Sequence, residues 1–184
     1  MTPSIVRVLP RGPSAEADRG ALTAAVAELL AIEPHDVTLL RHCAHCGGDD
    51  HGRPLVTGPA HPPVWVSLSR AGDVVAVVAT TRGPVGVDIE SLERVAVAGF
   101  DDVAFSARER ESVRSAADPT LRRAQLWTAK EAVLKARGTG LRVDPREVDA
   151  ITPPRGIRLE GVDAPAGYVA TVAYGTISSG TGTE

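Results

Sequence analysis

One stretch of this sequence decides its fold: residues 127–141, which read WTAKEAVLKARGTGL. The residues around it predict where a helix begins and ends. Asp118 can accept hydrogen bonds from the free N–H groups of a first turn, and Pro119 suits the first helical position. Gly138 is the usual left-handed residue that ends a helix. We therefore expect a helix over residues 119–137.

One side of this helix carries an apolar stripe that runs into two charged residues. Positions three and four residues apart share a side of a helix. The residues at this spacing are Leu121, Ala124, Trp127 or Thr128, Glu131 and Lys135. Glu131 and Lys135 are one turn apart, which is typical of an ordinary surface ion pair contributing about 0.2–0.5 kcal/mol. The same placement also suits catalysis, and the helix alone leaves both interpretations open.

The composition favours a soluble protein with an aliphatic core. The 184 residues allow one large domain or two small halves that share a core. Hydrophobic residues make up 43% but aromatic residues only 3%, so the core must be mostly Val, Ala and Leu. The net charge of −3 excludes a globally basic nucleic-acid-binding protein. Because we find neither a signal peptide nor a membrane-spanning apolar run, we expect a cytoplasmic protein.

The first half of the chain predicts one helix and several strands. Ser14 is suited to cap a helix that extends to about Ile32. The predicted strands are a short strand or tail within residues 1–13 and further strands at 37–41, 64–69, 73–80 and 85–90. Residues 42–63 are irregular and rich in Gly, His and Pro. We expect the strands at 64–69, 73–80 and 85–90 to form an antiparallel meander.

The second half predicts two helices followed by strands. Ser106 and Glu109 form the pattern of a capping box, which would open a helix extending to about Ala116. After the helix at 119–137, strands are expected near 157–160 and 168–174. Residues 178–184 are small and polar, and we expect them to be disordered. The fold class is therefore α+β, with two similar α/β halves conceivable.

Two acidic residues end the strand at 85–90. In an extended chain, Asp88 and Glu90 point to the same face while Ile89 points to the core. Two neighbouring carboxylates repel each other unless water solvates them or a cation lies between them. Mg²⁺ prefers such oxygen ligands. Taken alone, this pattern is equally typical of a solvated strand end.

Together, two blocks of the sequence are far more specific. VGVDIE at 85–90 and WTAKEAVLK at 127–135 resemble the signature blocks of the 4′-phosphopantetheinyl transferase superfamily, G-[IV]-D-[IV]-E and W-[TS]-x-K-E-[AS]-x-x-K. The residues GTGL at 138–141 match as well, and Phe105-Ser106-x-x-Glu109 is similar to a short motif between the blocks. The resemblance covers about half of the chain, discontinuously.

The resemblance implies a particular type of fold. Asp88 lies in the middle of the chain, and Glu90 supplies a second carboxylate, as in the Sfp type of the superfamily. That type is a monomer in which two similar α/β halves form a pseudo-dimer with one active site at their junction. The halves expected here are residues 1–92, which would bind the nucleotide and carry the acidic strand, and residues 93–184, which contain the helix.

The resemblance also implies a reaction. The 4′-phosphopantetheine arm of coenzyme A would pass to a serine of an acyl or peptidyl carrier protein, and 3′,5′-ADP would leave. Asp88, Glu90 and Glu131 would bind Mg²⁺, with Mn²⁺ as an alternative. Glu131 would also accept the serine proton, and Lys135 would contact the diphosphate. Lys130 would reach the phosphates from the side. Glu109 would either support the site or only cap its helix.

The nucleotide contacts implied by the resemblance lie in the first half. His51, Arg53 and Pro54 belong to a segment similar to the G-K-P loop of the family, with Arg53 in place of Lys. Ser69 and Arg70 stand where the family has Ser and a phosphate-binding His. Arg70 keeps a positive charge for the 3′-phosphate, but its reach and shape differ from those of a histidine. Arg19 is a weaker candidate for the same phosphate.

Cys43 and Cys46 raise a different possibility. With one of the nearby histidines, a C-x-x-C pair could bind Zn²⁺. The histidines within reach are His42, His45 and His51. A structural zinc site normally has a second close pair of ligands, which this sequence lacks, so two reduced thiols are the alternative. The segment is similar to actinobacterial members of the family.

The partner surface and two competing functions stay open. Arginines on the helices beside the expected site could form a basic face for an acidic carrier protein, or an ordinary solvated surface; they are Arg108, Arg110, Arg114, Arg122 and Arg123. The sequence does not choose among carriers of fatty-acid, polyketide or nonribosomal-peptide synthesis. The alternatives to the enzyme are a non-catalytic protein that binds coenzyme A or a carrier protein, and a small zinc-binding module.

Overall fold

A computed structural model of the chain describes residues 4–42, 47–48, 52–57 and 62–176. The expected disorder of residues 178–184 lies outside this part of the chain, as do Cys43, Cys46 and His51. In the ranges given, no helix is both long and apolar enough to cross a membrane.

Strands and helices are distributed over both halves of the chain. The strands are β1 (Ser4–Pro10), β2 (Thr38–His42), β3 (Arg53–Thr57), β4 (Trp65–Ala71), β5 (Val74–Thr80), β6 (Val85–Ser91), β7 (Ile157–Val162) and β8 (Tyr168–Gly175). The helices are α1 (Ala15–Leu30), α2 (Leu92–Val97), α3 (Asp101–Ala104), α4 (Ala107–Arg114) and α5 (Pro119–Arg137). Short 3-10 helices occupy Pro34–Asp36, Gly140–Arg142 and Pro145–Glu147.

The capping signals predict the helices well. The side chain of Ser14 accepts a hydrogen bond at the N-terminus of α1, and Asp118 does the same for α5. Ser106 and Glu109 form the expected capping box of α4. Gly138 ends α5 in the left-handed conformation with a φ of 69°. These features are confirmed because each depends on residues within one turn of the helix end.

The strands form antiparallel ladders in an unexpected order. One sheet has the order β1-β5-β4, a second has the order β6-β8-β7, and β2 pairs with β3. The predicted meander is therefore wrong at its third strand, because β6 pairs with the C-terminal β8 and not with β5. In that register Asp88 lies opposite Thr171. The strand β3 also forms inside the segment that we expected to be irregular.

The two three-stranded sheets pack face to face between α1 and α5. On β5, Val75 and Val77 face α1, whereas Ala76 and Val78 face the second sheet. The outer face of the second sheet packs on α5, where Ala173 joins the buried side chains of the helix. The mixed α+β prediction is thus confirmed.

The two expected halves correspond to the sheets only in part. Each three-stranded sheet has one long helix on its outer side. However, β6 precedes residue 92 and belongs to the sheet of the C-terminal strands, so the boundary between residues 1–92 and 93–184 does not follow the sheets. Structural equivalence of the two halves stays a prediction.

Candidate functional site

The site begins where strand β6 lies directly against helix α5. A Cβ atom built on Gly86 would lie 2.1 Å from the carbonyl oxygen of Ala132 and 2.8 Å from the Cβ of Lys135. No real side chain fits at these distances, so the absence of a Cβ allows the close approach. This approach places the helix over Asp88, two residues further along the same face of the strand.

Asp88 lies at the centre of the site. Its Oδ1 accepts hydrogen bonds from Lys135 Nζ at 2.6 Å and from the hydroxyl of Ser69 at 2.7 Å. Lys135 also donates to Ser69 Oγ at 3.0 Å. The other oxygen, Asp88 Oδ2, is buried and has no hydrogen-bond partner. Burial raises the pKa of Asp88, and the charge of Lys135 offsets part of this increase.

Glu90 is held beside Asp88 by a tryptophan. The indole Nε1 of Trp127 donates to Glu90 Oε1 at 3.2 Å. The Trp127 ring itself packs on Phe100, with 4.9 Å between ring centroids. Burial and the charge of Asp88 raise the pKa of Glu90 from 4.5 to about 7. The Glu90 carboxyl therefore ionises readily near neutral pH only when a cation lies close to it.

Glu131 faces the same region from helix α5. It is half-buried, and burial raises the pKa of its carboxyl above the usual range. The charge of Lys135 lowers this pKa and that of Asp88 raises it. Glu131 and Lys135 therefore do not form merely a surface pair, because the ammonium of Lys135 lies on Asp88.

The side chains fit a divalent cation chemically. The donor set consists of oxygen atoms, which suits Mg²⁺. One oxygen, Asp88 Oδ2, is buried and lacks a partner, and the pKa values of all three carboxyls are raised. Within the described residues, no three acidic, histidine or cysteine side chains are already spaced to hold a metal ion. The structure thus brings the ligand types to one region without forming a closed metal cluster.

Lys130 requires a correction. We expected its ammonium to reach phosphates, but the side chain is fully buried and its Nζ lies 2.8 Å from Glu109 Oε2. Lys130 also donates to the carbonyl oxygens of Pro145 and Val148 at 2.8 and 2.6 Å. The structure therefore gives Lys130 and Glu109 a structural role that fastens the segment after α5. Glu109 also caps its helix and accepts from Ala150 N.

The predicted nucleotide residues lie in different places. Ser69 contacts Asp88 and Lys135, as described above. Arg70, the next residue on β4, points to the opposite side and its Nε donates to Asp18 Oδ2 at 2.6 Å. Arg53 and Pro54 are half-buried on β3, and the Nη2 atom of Arg53 is buried with no partner. His51 lies outside the described residues, and Arg19 is exposed on α1.

Sequence reasoning missed three residues that support the site. Trp127 belongs to the apolar stripe and to one signature block, but neither predicts that its indole positions Glu90. Thr128 Oγ1 lies 2.8 Å from Thr171 Oγ1 and ties α5 to β8. Asp18 is buried and forms ion pairs with both Arg70 and Arg11. Asp18 stands four residues before Leu22 on the buried side of α1, and an acidic residue at that spacing is the signal that could have identified it.

The expected basic face is largely neutralised within the chain. Acidic residues pair with four of its five arginines, and the pairs are Arg108–Asp149, Arg110–Asp102, Arg114–Glu111 and Arg123–Asp101. Arg122 donates to the hydroxyl of Ser112. These arginines therefore offer an acidic partner less net charge than their number indicates.

Comparison with known proteins matches the part of the chain that contains this site. Residues 84–169 match the profile of the 4′-phosphopantetheinyl transferase superfamily. The uncharacterized protein YieE of Escherichia coli (strain K12) is 37% identical over 110 residues, which is 53% of this chain and 43% of YieE. The 4′-phosphopantetheinyl transferase AcpT of Salmonella typhimurium is 32% identical over 92 residues, which is 48% of this chain and 47% of AcpT.

These matches are partial but fall on the site. The chain spans less than half the length of these curated relatives. The matched residues 84–169 include Asp88, Glu90, Glu131 and Lys135. The segment that carries the acidic strand and helix α5 is therefore similar to the 4′-phosphopantetheinyl transferase superfamily.

Proposed function

We propose that this protein transfers the 4′-phosphopantetheine arm of coenzyme A to a serine hydroxyl of an acyl or peptidyl carrier protein and releases 3′,5′-ADP. The observation that carries the proposal is the arrangement around Asp88. An unpartnered carboxylate oxygen and two further carboxyls with raised pKa lie beside a lysine, within the segment that matches the superfamily.

Asp88, Glu90 and Glu131 are the residues that would hold Mg²⁺, or Mn²⁺ in its place. When bound, the ion would neutralise charge on the diphosphate of coenzyme A. The raised pKa values of Glu90 and Glu131 support this assignment, because crowded carboxyls release their protons to water reluctantly until a cation offsets their repulsion.

Glu131 is the proposed acceptor of the serine proton. The serine oxygen forms a new bond to the β-phosphorus, and the bond from that phosphorus to the oxygen of the leaving 3′,5′-ADP breaks. Proton transfer to a well-placed carboxylate contributes roughly 10²–10⁴-fold to such reactions.

Lys135 is the proposed cation for the leaving diphosphate. Its Nζ lies between Ser69 and Asp88, at hydrogen-bond distance from both. Ser69 keeps the ammonium at this position, and a positive charge fixed in advance stabilises a transition state better than one that must move. Arg70 and Arg53 remain proposed contacts for the phosphates of coenzyme A.

We further propose that the protein belongs to the Sfp type and acts as a cytoplasmic monomer. An α+β unit with its own sheet and helix precedes Asp88, and Glu90 supplies the second carboxylate.

Incubation with coenzyme A, Mg²⁺ and an apo carrier protein tests the proposal. The carrier should gain the mass of one phosphopantetheine arm. Glu131→Gln should slow transfer by about 10²–10⁴-fold, whereas Glu33→Gln, an exposed control, should be unaffected. Asp88→Asn should raise the Mg²⁺ requirement or abolish transfer. Near-normal turnover of Glu131→Gln would contradict its role as the base.

A second function is favoured by one observation. Lys135 already pairs with Asp88, and the described residues hold no three-ligand metal cluster, an arrangement that also suits a non-catalytic protein that binds coenzyme A or a carrier. Binding of coenzyme A without any mass gain on several apo carriers would support this alternative and overturn the enzyme.

A further inference from the structure

A cavity lies away from the proposed catalytic residues, at the end of the second sheet where β6 and β7 begin and β8 ends. Its volume is about 590 Å³. Ligand pockets in proteins usually span about 300–1,000 Å³, so this cavity has room for a small organic molecule. The residues that line it include Arg82, Gly156, Ile157, Arg158, Tyr174 and Thr176. The proposed transfer reaction uses none of them.

The cavity and the catalytic residues lie on different faces of the sheet. Asp88 faces helix α5, where Lys135 contacts it. Tyr174 packs with Val85 between the two sheets, on the opposite face. Along β8, Tyr174 is three residues from Thr171, the strand partner of Asp88, which is about 10 Å of extended chain. A ligand in the cavity would therefore leave the region around Asp88 free.

Two arginines and a tyrosine give the cavity a positive side. Arg158 on β7 lies opposite Tyr174 on β8, and its guanidinium carbon is 4.5 Å from the centre of the tyrosine ring. Burial raises the pKa of the Tyr174 phenol, whereas the charges of Arg158 and Arg82 lower it. Both guanidinium groups therefore act on the same place. Of the described residues that line the cavity, none is acidic.

Both cations are available to a ligand. Arg82 is exposed, and its guanidinium forms no ion pair within the described part of the chain. Arg158 pairs with Glu160 on the same strand, and both of these side chains are more than half exposed. Exposed pairs of this kind contribute little, because water already solvates both charges. An anion in the cavity can therefore replace Glu160 at little cost.

Backbone contacts give the cavity a fixed rim. The N–H of Thr176 donates to the carbonyl oxygen of Gly156 at 2.9 Å, and the N–H of Gly175 donates to that of Pro84 at 2.7 Å. A Cβ on Gly156 would lie 2.7 Å from Thr176 Oγ1, and the φ of 77° at this residue also favours glycine. Ile157 adds an apolar wall. The cavity is thus preformed, with charge on one side and apolar surface on the other.

We propose that this cavity is a binding site for a small organic anion. Arg82 and Arg158 bind its carboxylate or phosphate group, and Ile157 contacts its apolar body. Arginine suits both oxyanions because its planar fork donates two parallel hydrogen bonds. The apolar wall and the volume exceed what a free inorganic ion needs, so the charged group is attached to an apolar body. This binding is independent of the proposed transfer of phosphopantetheine.

Titrations of the full chain with three probes, followed by NMR, test the site. The probes are benzoate, phenyl phosphate and neutral benzyl alcohol. At least one anion should bind saturably, and benzyl alcohol should bind at least about fivefold more weakly than that anion. The tighter of the two anions identifies the charged group of the natural ligand. Failure of both anions to saturate the protein, or equal binding of benzyl alcohol, would overturn the proposal.

Variants of two arginines separate direct contact from general charge attraction. Arg82→Met should weaken the bound anion by about threefold to tenfold, because it removes a charged hydrogen-bond donor. Arg82→Lys should restore part of the affinity. Arg155→Met is the matched control, since Arg155 is exposed in the same turn as Gly156 but does not line the cavity. Equal losses in Arg82→Met and Arg155→Met, or no loss in either, would overturn the site.

Coenzyme A distinguishes this cavity from the proposed catalytic site. Saturating coenzyme A with Mg²⁺ should leave the dissociation constant of the bound probe unchanged within about twofold, because the two places lie on different faces of the sheet. Competition would place the probe in the coenzyme A site and overturn the proposal. A protein that modifies carriers but binds neither anion lacks only the cavity site. A protein that binds an anion and modifies no carrier lacks only the transfer activity.

Discussion

The ammonium of Lys130 lies 2.8 Å from the carboxylate of Glu109, and both side chains are fully buried. Lys130 immediately precedes Glu131 in the helix. The buried pair therefore fixes the orientation of α5 about its own axis, and with it the side to which Glu131, the proposed base, points. The pair also holds the segment after α5 through Pro145, Val148 and Ala150. One motif lysine therefore orders the structure while its neighbour Glu131 faces the site.

Removing one member of this pair should strongly destabilise the fold. Lys130→Met leaves the Glu109 carboxylate buried without its cation, and such changes typically cost about 3–5 kcal/mol. Urea unfolding of the variant measures the free energy of unfolding directly. The double variant Lys130→Met/Glu109→Leu should recover much of the loss, because no uncompensated charge remains.

Two results would contradict this interpretation. A loss below about 1 kcal/mol would show that the pair is solvated, as exposed pairs are. A fully stable Lys130→Met that has lost affinity for coenzyme A would restore the phosphate contact first expected of this residue. Lys135→Met is the comparison, since Lys135 is partly exposed and should affect binding more than stability.

Gly86→Ala should separate β6 from α5. Its new Cβ would lie 2.1 Å from the backbone oxygen of Ala132, so the helix must shift. Overpacking of this kind costs roughly 1–3 kcal/mol, and it should also displace Lys135 from Asp88. Thermal unfolding and the transfer rate together measure the two effects.

Gly161→Ala is the matched control for this variant. Gly161 also lies in a strand of the same sheet, β7, but a Cβ there has nothing within 4 Å. We expect its stability and activity to stay close to wild type. Equal behaviour of the two glycine variants would show that the close approach at Gly86 is not needed.

Local features of the fold could be predicted from the sequence, and long-range pairing could not. The bounds of α5 follow from Asp118, Pro119 and Gly138, all within one turn of the helix ends. The pairing of β6 with β8 joins segments about 80 residues apart, and the alternating pattern of a strand does not identify the strand with which it pairs. The prediction that β6 would continue the meander was wrong for that reason.

The same limit applies to the site. Periodicity correctly places Asp88 and Glu90 on one face of the strand, and the motifs select Glu131 and Lys135. Whether a lysine faces solvent, a phosphate or a buried glutamate depends on what packs against the helix. The sequence of α5 therefore does not reveal that Lys130 is buried.

Trp127→Phe should weaken the proposed metal site while preserving the packing. Phenylalanine keeps a ring against Phe100 but loses the N–H that donates to Glu90. Loss of a hydrogen bond to a charged group should raise the Mg²⁺ concentration for half-maximal transfer by about threefold to tenfold. Direct titration of Mg²⁺ gives an independent value. An unchanged Mg²⁺ requirement would show that Trp127 only packs.

The effect of Mg²⁺ on stability should grow with pH. The folded protein holds the proton of Glu90 up to about pH 7, whereas the unfolded chain releases it near 4.5. Between these values the folded state binds more protons, so the free energy of unfolding falls as the pH rises. The pKa values of Asp88 and Glu131 are raised as well and act in the same direction.

Melting curves from pH 5 to pH 8, with and without Mg²⁺ at matched ionic strength, test this linkage. Mg²⁺ should raise the melting temperature little at pH 5, because it must displace protons there, and clearly at pH 8. Glu90→Gln should flatten the pH dependence of the metal-free protein, since the amide does not ionise. If Mg²⁺ stabilised the protein equally at both ends of the range, the three carboxyls would not be its ligands, because binding to them must compete with protonation.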